Sequence, residues 1–225
     1  MKFLKKVVAA ASVALMAALP TVSHATLTMT VDDLATAGVD IVLNDTAAIN
    51  AFLLQSGQVG TWSMSVAAGS GNGWSSIFGI DLTSFAASSN AGGTLRITLT
   101  ETNLTLGANG GPVTVNSAIG GTTQGTVSYS SWLDDANNGL NVANPAGQGA
   151  LLFTGSSSSM AFAATGQGTT LASDPFAMTL QVDITHSARA TSSFDFSANV
   201  PEPSSLALLS VAMLGAGFAA RRRKA

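Results

Sequence analysis

His186 is the residue of this 225-residue sequence best suited to proton transfer, set in Ile184-Thr185-His186-Ser187 with Asp183 three positions before it. Serine is abundant, so composition leaves room for a Ser-His-Asp arrangement. However, no G-x-S-x-G turn is present to expose a nucleophile, and neighbours along one strand do not assemble a triad. His186 falls where an alternating run ends, and a surface histidine without a catalytic role is the expectation there. Glycoside hydrolysis needs two carboxylates about 5 to 9 Å apart. Asp81, Glu101, Asp134, Asp135 and Asp183 supply carboxylates, but no motif selects a pair among them. Asp134-Asp135-Ala136-Asn137-Asn138-Gly139 is dense in oxygen ligands. It fails the EF-hand pattern, because Ala136 stands at the third position and no glutamate follows at the required distance. A polar turn is the plain reading, and a loop that takes Ca²⁺ is the alternative; no cofactor and no metal ligand set is assigned, and Asp32-Asp33 is a weaker case. Flat aromatics stack on sugar rings, and Trp74, inside Gly69-Ser70-Gly71-Asn72-Gly73, is the one least provided with packing. Trp62 and Trp132 lie in strand-like runs and are expected in the core, and packing is also the default for Tyr129. The ligand-binding candidates are therefore Trp74, Asp134 and Asp135.

Several chemistries are excluded outright. The sequence has no cysteine, which removes thiol nucleophiles, Fe–S sites and Cys-ligated zinc. Between Thr26 and Asn199 it has no lysine either, so S-x-x-K chemistry, P-loop phosphate binding and Schiff bases are absent from that segment. Eleven carboxylates there face only Arg96 and Arg189, a net charge of −9. A segment this anionic does not neutralise phosphates, so nucleic acid is not a partner.

The elements that would position these residues are strands. Leu95, Ile97 and Leu99 alternate with Arg96, Thr98 and Thr100; Phe176, Met178, Leu180, Val182 and Ile184 alternate with polar or small residues. About ten such runs, separated by Gly- and Asn-rich breakers, predict a mostly β fold. The expected architecture is one antiparallel β-sandwich or jelly-roll-like domain over residues 26–199. One helix is expected, N-capped by Asp45, carrying Ile49, Phe52 and Leu53 and ending at Gly57.

The two ends have a different character. Lys2, Lys5 and Lys6 precede an apolar run from Val7 to Leu19, Pro20 breaks it, and Ser23-His24-Ala25 offers small residues at a cleavage site. This is the layout of a signal peptide, residues 1–25, with signal peptidase cutting after Ala25. Its 13-residue apolar run makes a helix of about 20 Å, too short for a hydrocarbon core of roughly 30 Å. At the other end Val200-Pro201-Glu202-Pro203 cannot continue a strand, since proline fixes φ and removes a donor. Ser204 to Ala220 is free of charge, 17 residues that make a helix of about 25 Å, at the short end of what spans a bilayer. Arg221, Arg222, Arg223 and Lys224 then form a cytoplasmic stop-transfer cluster, which orients the chain N-out and C-in.

This order of Pro201-Glu202-Pro203, apolar helix and basic tip over residues 200–225 resembles the C-terminal sorting domain of the PEP-CTERM family. The resemblance implies recognition by an exosortase, an integral-membrane processing enzyme. It also implies a bacterium with an outer membrane that makes exopolysaccharide, and a product bound for the cell surface or extracellular matrix. The expectation is a non-enzymatic exported protein, anchored transiently by its C-terminal helix and then processed. The alternatives are a carbohydrate-binding module for exopolysaccharide, with or without the assistance of Ca²⁺, and an exported hydrolase.

Overall fold

Short alternating runs broken by glycine can hold their apolar side chains out of water only by pairing into sheets and stacking one sheet on another. The computed structural model follows that logic; it describes residues 26–45, 52–70, 78–105, 110–138 and 149–201. Twelve strands lie within them: β1 (Thr26–Asp33), β2 (Ile41–Asp45), β3 (Phe52–Val59), β4 (Trp62–Ser70), β5 (Phe78–Ser89) and β6 (Gly93–Leu104), followed by β7 (Gly111–Thr123), β8 (Thr126–Asp134), β9 (Ala150–Ser157), β10 (Ala161–Ala172), β11 (Phe176–His186) and β12 (Ala190–Val200). All pairings between neighbours are antiparallel.

Sheet A runs β2-β1-β6-β11-β8-β9 and sheet B runs β10-β7-β12-β5-β4-β3. Within them, β6-β11-β8-β9 lies over β5-β12-β7-β10, so the last eight strands have the order of a jelly roll. The β1–β2 hairpin extends one sheet at the β6 edge, and β3–β4 extends the other at the β5 edge. The expected sandwich is present, with twelve strands rather than ten.

The alternation read from the sequence fills the space between the sheets. Leu95, Ile97, Leu99, Leu180, Val182 and Ile184 from sheet A meet Leu82, Phe85, Phe194 and Phe196 from sheet B, all buried. Alternation breaks down in the middle of sheet A, where both faces of β6 and β11 are buried over Thr98–Glu101 and Phe176–Leu180. The expected helix from Asp45 is corrected: Phe52 to Gly57 belong to β3, paired with Gly69 to Met64 of β4, and residues 46–51 lie outside the described residues. Phe52, Leu53 and Leu54 are residue types that strands accept readily, and their pairing with β4 outweighs the helical spacing.

The register fixes two ends of the sandwich. Val200 pairs with Phe78, Thr26 with Thr102, and Leu133 with Ala150, so the described chain enters and leaves the fold at one end. The tight connections β5–β6, β7–β8 and β11–β12 lie at the other, which is also where His186 sits.

Candidate functional site

His186 does not lie on the surface. It is buried at the distal end, with its ring against Trp62 at a centroid distance of 4.8 Å. The expectation of a surface histidine is corrected because β11 continues one residue further than its apolar run suggests, through His186 paired with Gly93. Nδ1 lies 2.8 Å from Ser89 Oγ and Nε2 lies 2.8 Å from Ser192 Oγ. The connections continue on both sides. Ser89 Oγ donates to the Ala188 carbonyl at 3.2 Å, Thr123 Oγ1 lies 2.7 Å from Ser192 Oγ, and Gly125 N–H donates to Thr123 Oγ1 at 3.0 Å. One proton arrangement satisfies every member. Thr123 donates to Ser192, Ser192 to Nε2, Nδ1–H to Ser89, and Ser89 to Ala188. That arrangement requires a neutral imidazole, and burial pushes the His186 pKa below its ordinary value in the same direction.

The Ser192–His186 contact has the form of a nucleophile–base pair, but its third member is the Ser89 hydroxyl rather than a carboxylate, and all three side chains are buried. Asp183, the partner that sequence proximity offered, is on the outer face of sheet A. There Arg96 Nε and Nη2 donate to its two oxygens at 2.8 and 2.7 Å. The hydrogen bond to Asp183 holds the Arg96 pKa above its ordinary value, against the effect of burial. Asp32, paired opposite Arg96, has its pKa raised by burial and then by Asp40, while Arg96 acts the other way.

Asp134 and Asp135 are tied to loop backbone. Asp134 Oδ1 accepts from Ala136 N–H at 3.0 Å and Oδ2 from Asn138 N–H at 2.9 Å, while Asp135 Oδ1 accepts from Ser173 N–H. Among the described residues no group of three or more His, Asp or Glu side chains is placed to hold a metal ion. Trp62, Tyr129 and Trp132 are buried; Trp74 lies outside the described residues. Its neighbours in the described chain, Ser70 and Phe78, end β4 and begin β5 at the proximal end, where Asp134 and Asp135 also lie.

A feature without sequence signal is the outer face of sheet B. Two shallow depressions of about 380 and 460 Å³ run across it. Ser63, Ser88, Thr122 and Ser193 line the first; Asn116, Gln167 and Asn199 line the second. Asp81 lies on the same face, its pKa raised by burial and then by Asp195, with a hydrogen bond from Thr83 opposing. Period two shows that one face of these strands is polar, but which polar faces share a sheet depends on the strand order.

β12 ends at Val200, and Pro201, the last described residue, is exposed. Among the described residues no helix is long and apolar enough to cross a membrane; the expected spanning helix 204–220, the basic tip, the rest of the Pro-Glu-Pro motif, residues 1–25 and the Ala25 cleavage site lie outside them. The last described strand therefore ends where the short motif begins, and residues 199–224 match the family model of the PEP-CTERM protein-sorting motif. The chain carries a PEP-CTERM sorting signal. The signal indicates export and C-terminal anchoring. No curated protein matches the chain.

Solved structures of distant sandwiches align with it. TmCBM61 in complex with beta-1,4-galactotriose is 8% identical, covering 63% of this chain and 90% of that one, with a TM-score of 0.32. The K1 cleaved adhesin domain of Lys-gingipain from Porphyromonas gingivalis W83 is 10% identical over 68% of this chain and 99% of that one, at 0.31. CsCBM6-3 from Clostridium stercorarium in complex with cellobiose is 17% identical over 49% and 71%, at 0.24. Likenesses this remote assign no ligand to this chain.

Proposed function

We propose that this is a non-enzymatic exported protein of a Gram-negative-type bacterium, whose jelly-roll domain is held N-out by the C-terminal segment, processed by an exosortase-type enzyme, and displayed at the cell surface or in the extracellular matrix. The observation that carries this reading is the coincidence of two boundaries. The sorting signal begins at residue 199, and the last strand ends at Val200. A processing enzyme can then take Pro201-Glu202-Pro203 without pulling a strand out of the sheet. In this reading signal peptidase removes residues 1–25, residues 204–220 occupy the bilayer, and Arg221 to Lys224 stay inside. Mass spectrometry of the mature C-terminus from native cells tests it. A chain ending near Pro201 is expected, with Pro201→Ala/Glu202→Ala accumulating at full length in the membrane fraction. An intact tail on the wild-type protein at steady state would sink the reading.

Polysaccharide contact is a second reading, supported by the hydroxyl- and amide-lined outer face of sheet B. Its hydrogen-bonding groups suit a polyol, and it has no aromatic lining among the described residues, so binding is expected to be weak and multivalent. Retention of the protein on matrix polysaccharide from the native host, reduced by Asn116→Ala/Asn199→Ala, is the expected result; equal retention of both proteins would refute it.

A further inference from the structure

Sheets end in edges, and an edge offers a row of unpaired N–H and C=O groups to any strand that can approach. Soluble β proteins blunt long edges with lysine, proline, bulges or short strands. β10 uses none of these. It is 12 residues long, contains no charge and no proline, and pairs with β7 from Ala161–Thr122 to Ala172–Gly111 without a register shift. Among the described residues no strand lies beyond it. About half of its residues turn both backbone groups outward, because hydrogen bonding alternates between the two sides of an antiparallel strand.

The charge distribution says what can approach. From Thr102 to Ser173 the sequence holds only two charged residues, Asp134 and Asp135, and these 72 residues include the whole of β7 to β10. The remaining charges of the −9 segment lie on or beside β1, β2, β5, β6, β11 and β12. Two copies meeting anywhere near those strands bring carboxylates together; meeting at the β9–β10 edge they do not. The same edge exposes Leu151 (54%), Met160 (75%) and Leu171 (72%), three of the six large apolar side chains that the described residues expose. The opposite edge of sheet B, β3, is shorter at eight residues, carries Gly57 at a φ of +142°, and lies over β1 and β2 with Asp32, Asp33, Asp40 and Asp45 on or beside them.

We propose that the β10 edge is a self-association site, at which a second copy of this chain adds its own β10 antiparallel and continues sheet B across a two-fold axis at Gln167. The two-fold follows from charge as well as symmetry. Asp135, bonded to Ser173 just beyond one end of β10, and Asp174 beside it then lie at opposite ends of the shared ladder in the two copies, about 40 Å apart at 3.3 Å per residue and well beyond the screening length. A parallel pairing would set the two carboxylates side by side. On the outer face Thr165 meets Thr169 and Gln167 meets Gln167 of the second copy, a small polar ladder of the kind that stabilises cross-strand pairs.

The test uses the full chain in mild detergent, so that the C-terminal segment is present and shielded. Sedimentation velocity over a concentration series is expected to show a dimer. Thr165→Lys/Thr169→Lys, two exposed outward positions, is expected to shift the midpoint of dimerisation at least tenfold upward while leaving the β-sheet circular dichroism unchanged. The absence of native cysteine allows a second readout that does not depend on that variant folding. Gln167→Cys should cross-link to a dimer with a short bis-maleimide, and Leu54→Cys on β3 should not. A monomer at all concentrations, a dimer indifferent to the lysines, or cross-linking at Leu54 instead of Gln167 would each overturn the proposal. Association through the C-terminal segment gives the second of these patterns and is thereby told apart.

Discussion

Replacing Ser192 with alanine should destabilise the domain by about 2–6 kcal/mol, although it deletes a single oxygen. The size follows from the hydrogen-bond chain. Ser192 Oγ lies 2.8 Å from His186 Nε2 and 2.7 Å from Thr123 Oγ1, and all three residues are buried. Without the hydroxyl, Nε2 loses its donor and the Thr123 hydroxyl loses its acceptor. A buried polar group left unmatched costs about 1–3 kcal/mol, and two are created here. Urea unfolding near pH 7, followed by the fluorescence of the buried Trp62, measures the loss; Ser193→Ala, at a neighbouring position facing out of the sheet, is the control and should stay within about 0.5 kcal/mol. The same chain dictates a pH dependence. Burial lowers the folded pKa of His186, so the unfolded chain binds a proton that the folded one refuses. Stability is therefore complete above the unfolded value of about 6.5 and falls as the pH drops below it towards the lowered folded value. His186 is the only histidine after Ala25, and the raised carboxyls of Asp32 and Asp81 contribute a slope of the opposite sign, so His186→Phe should abolish the loss of stability between about pH 6.5 and about pH 5. A Ser192→Ala protein within about 0.5 kcal/mol of wild type, or a wild-type stability flat across that interval, would refute the network as described.

Gly121→Ala should cost about 1–3 kcal/mol in urea unfolding, because a Cβ there would collide with the Ser193 carbonyl oxygen and lie 2.7 Å from Phe194 Cα, both backbone atoms of β12. Gly120→Ala meets nothing closer than 3.6 Å and should be within about 0.5 kcal/mol of wild type; equal losses at the two positions would contradict the register of β7 on β12. Arg96→Ala removes both donors from a part-buried Asp183 and should cost about 1 kcal/mol at neutral pH, a difference that shrinks at high salt; an unchanged difference at high salt would count against the pairing. Asp81→Asn should raise stability at neutral pH, since burial and Asp195 both disfavour its charge; the gain should disappear in acid, where the native carboxyl is neutral, and a variant less stable at neutral pH would count against it.

What the sequence disclosed and what it hid differ by the range of the interactions concerned. Alternation is local, so Leu95-Ile97-Leu99 and Phe176 to Ile184 declared their strands and their inward faces without any knowledge of the partner. The sorting signal is a contiguous segment and was equally legible. The fate of His186 depended on Ser89, 97 residues away, and on Ser192 across a tight connection, and neither distance leaves a mark in the sequence. Phe52 and Leu53 satisfied a helical spacing as well as a strand, and β4 decided between them. Asp183 offered itself to His186 by proximity along the chain, but side chains three apart on a strand point to opposite faces, which sends Asp183 to Arg96 and His186 into the core.

The placement of the candidate residues bears on when they could act. Asp134, Asp135 and the strand ends that flank Trp74 lie at the end of the sandwich from which Pro201 departs, whereas the His186 network closes the far end. On the proposed reading, a tail held in the inner membrane keeps the first end towards the lipid and presents the tight, internally bonded connections outward. The −9 charge of the domain discourages it from settling on anionic headgroups, so the tail rather than the surface holds it there. Cleavage at Pro201-Glu202-Pro203 then does more than release the chain. It removes the basic tip and frees the end that carries Asp134 and Asp135, while the uncharged β9–β10 edge lies along the side of the sandwich, with no strand beyond β10 among the described residues. Contacts through that edge need not wait for processing, whereas any ligand taken at the proximal end would first have to await the departure of the tail.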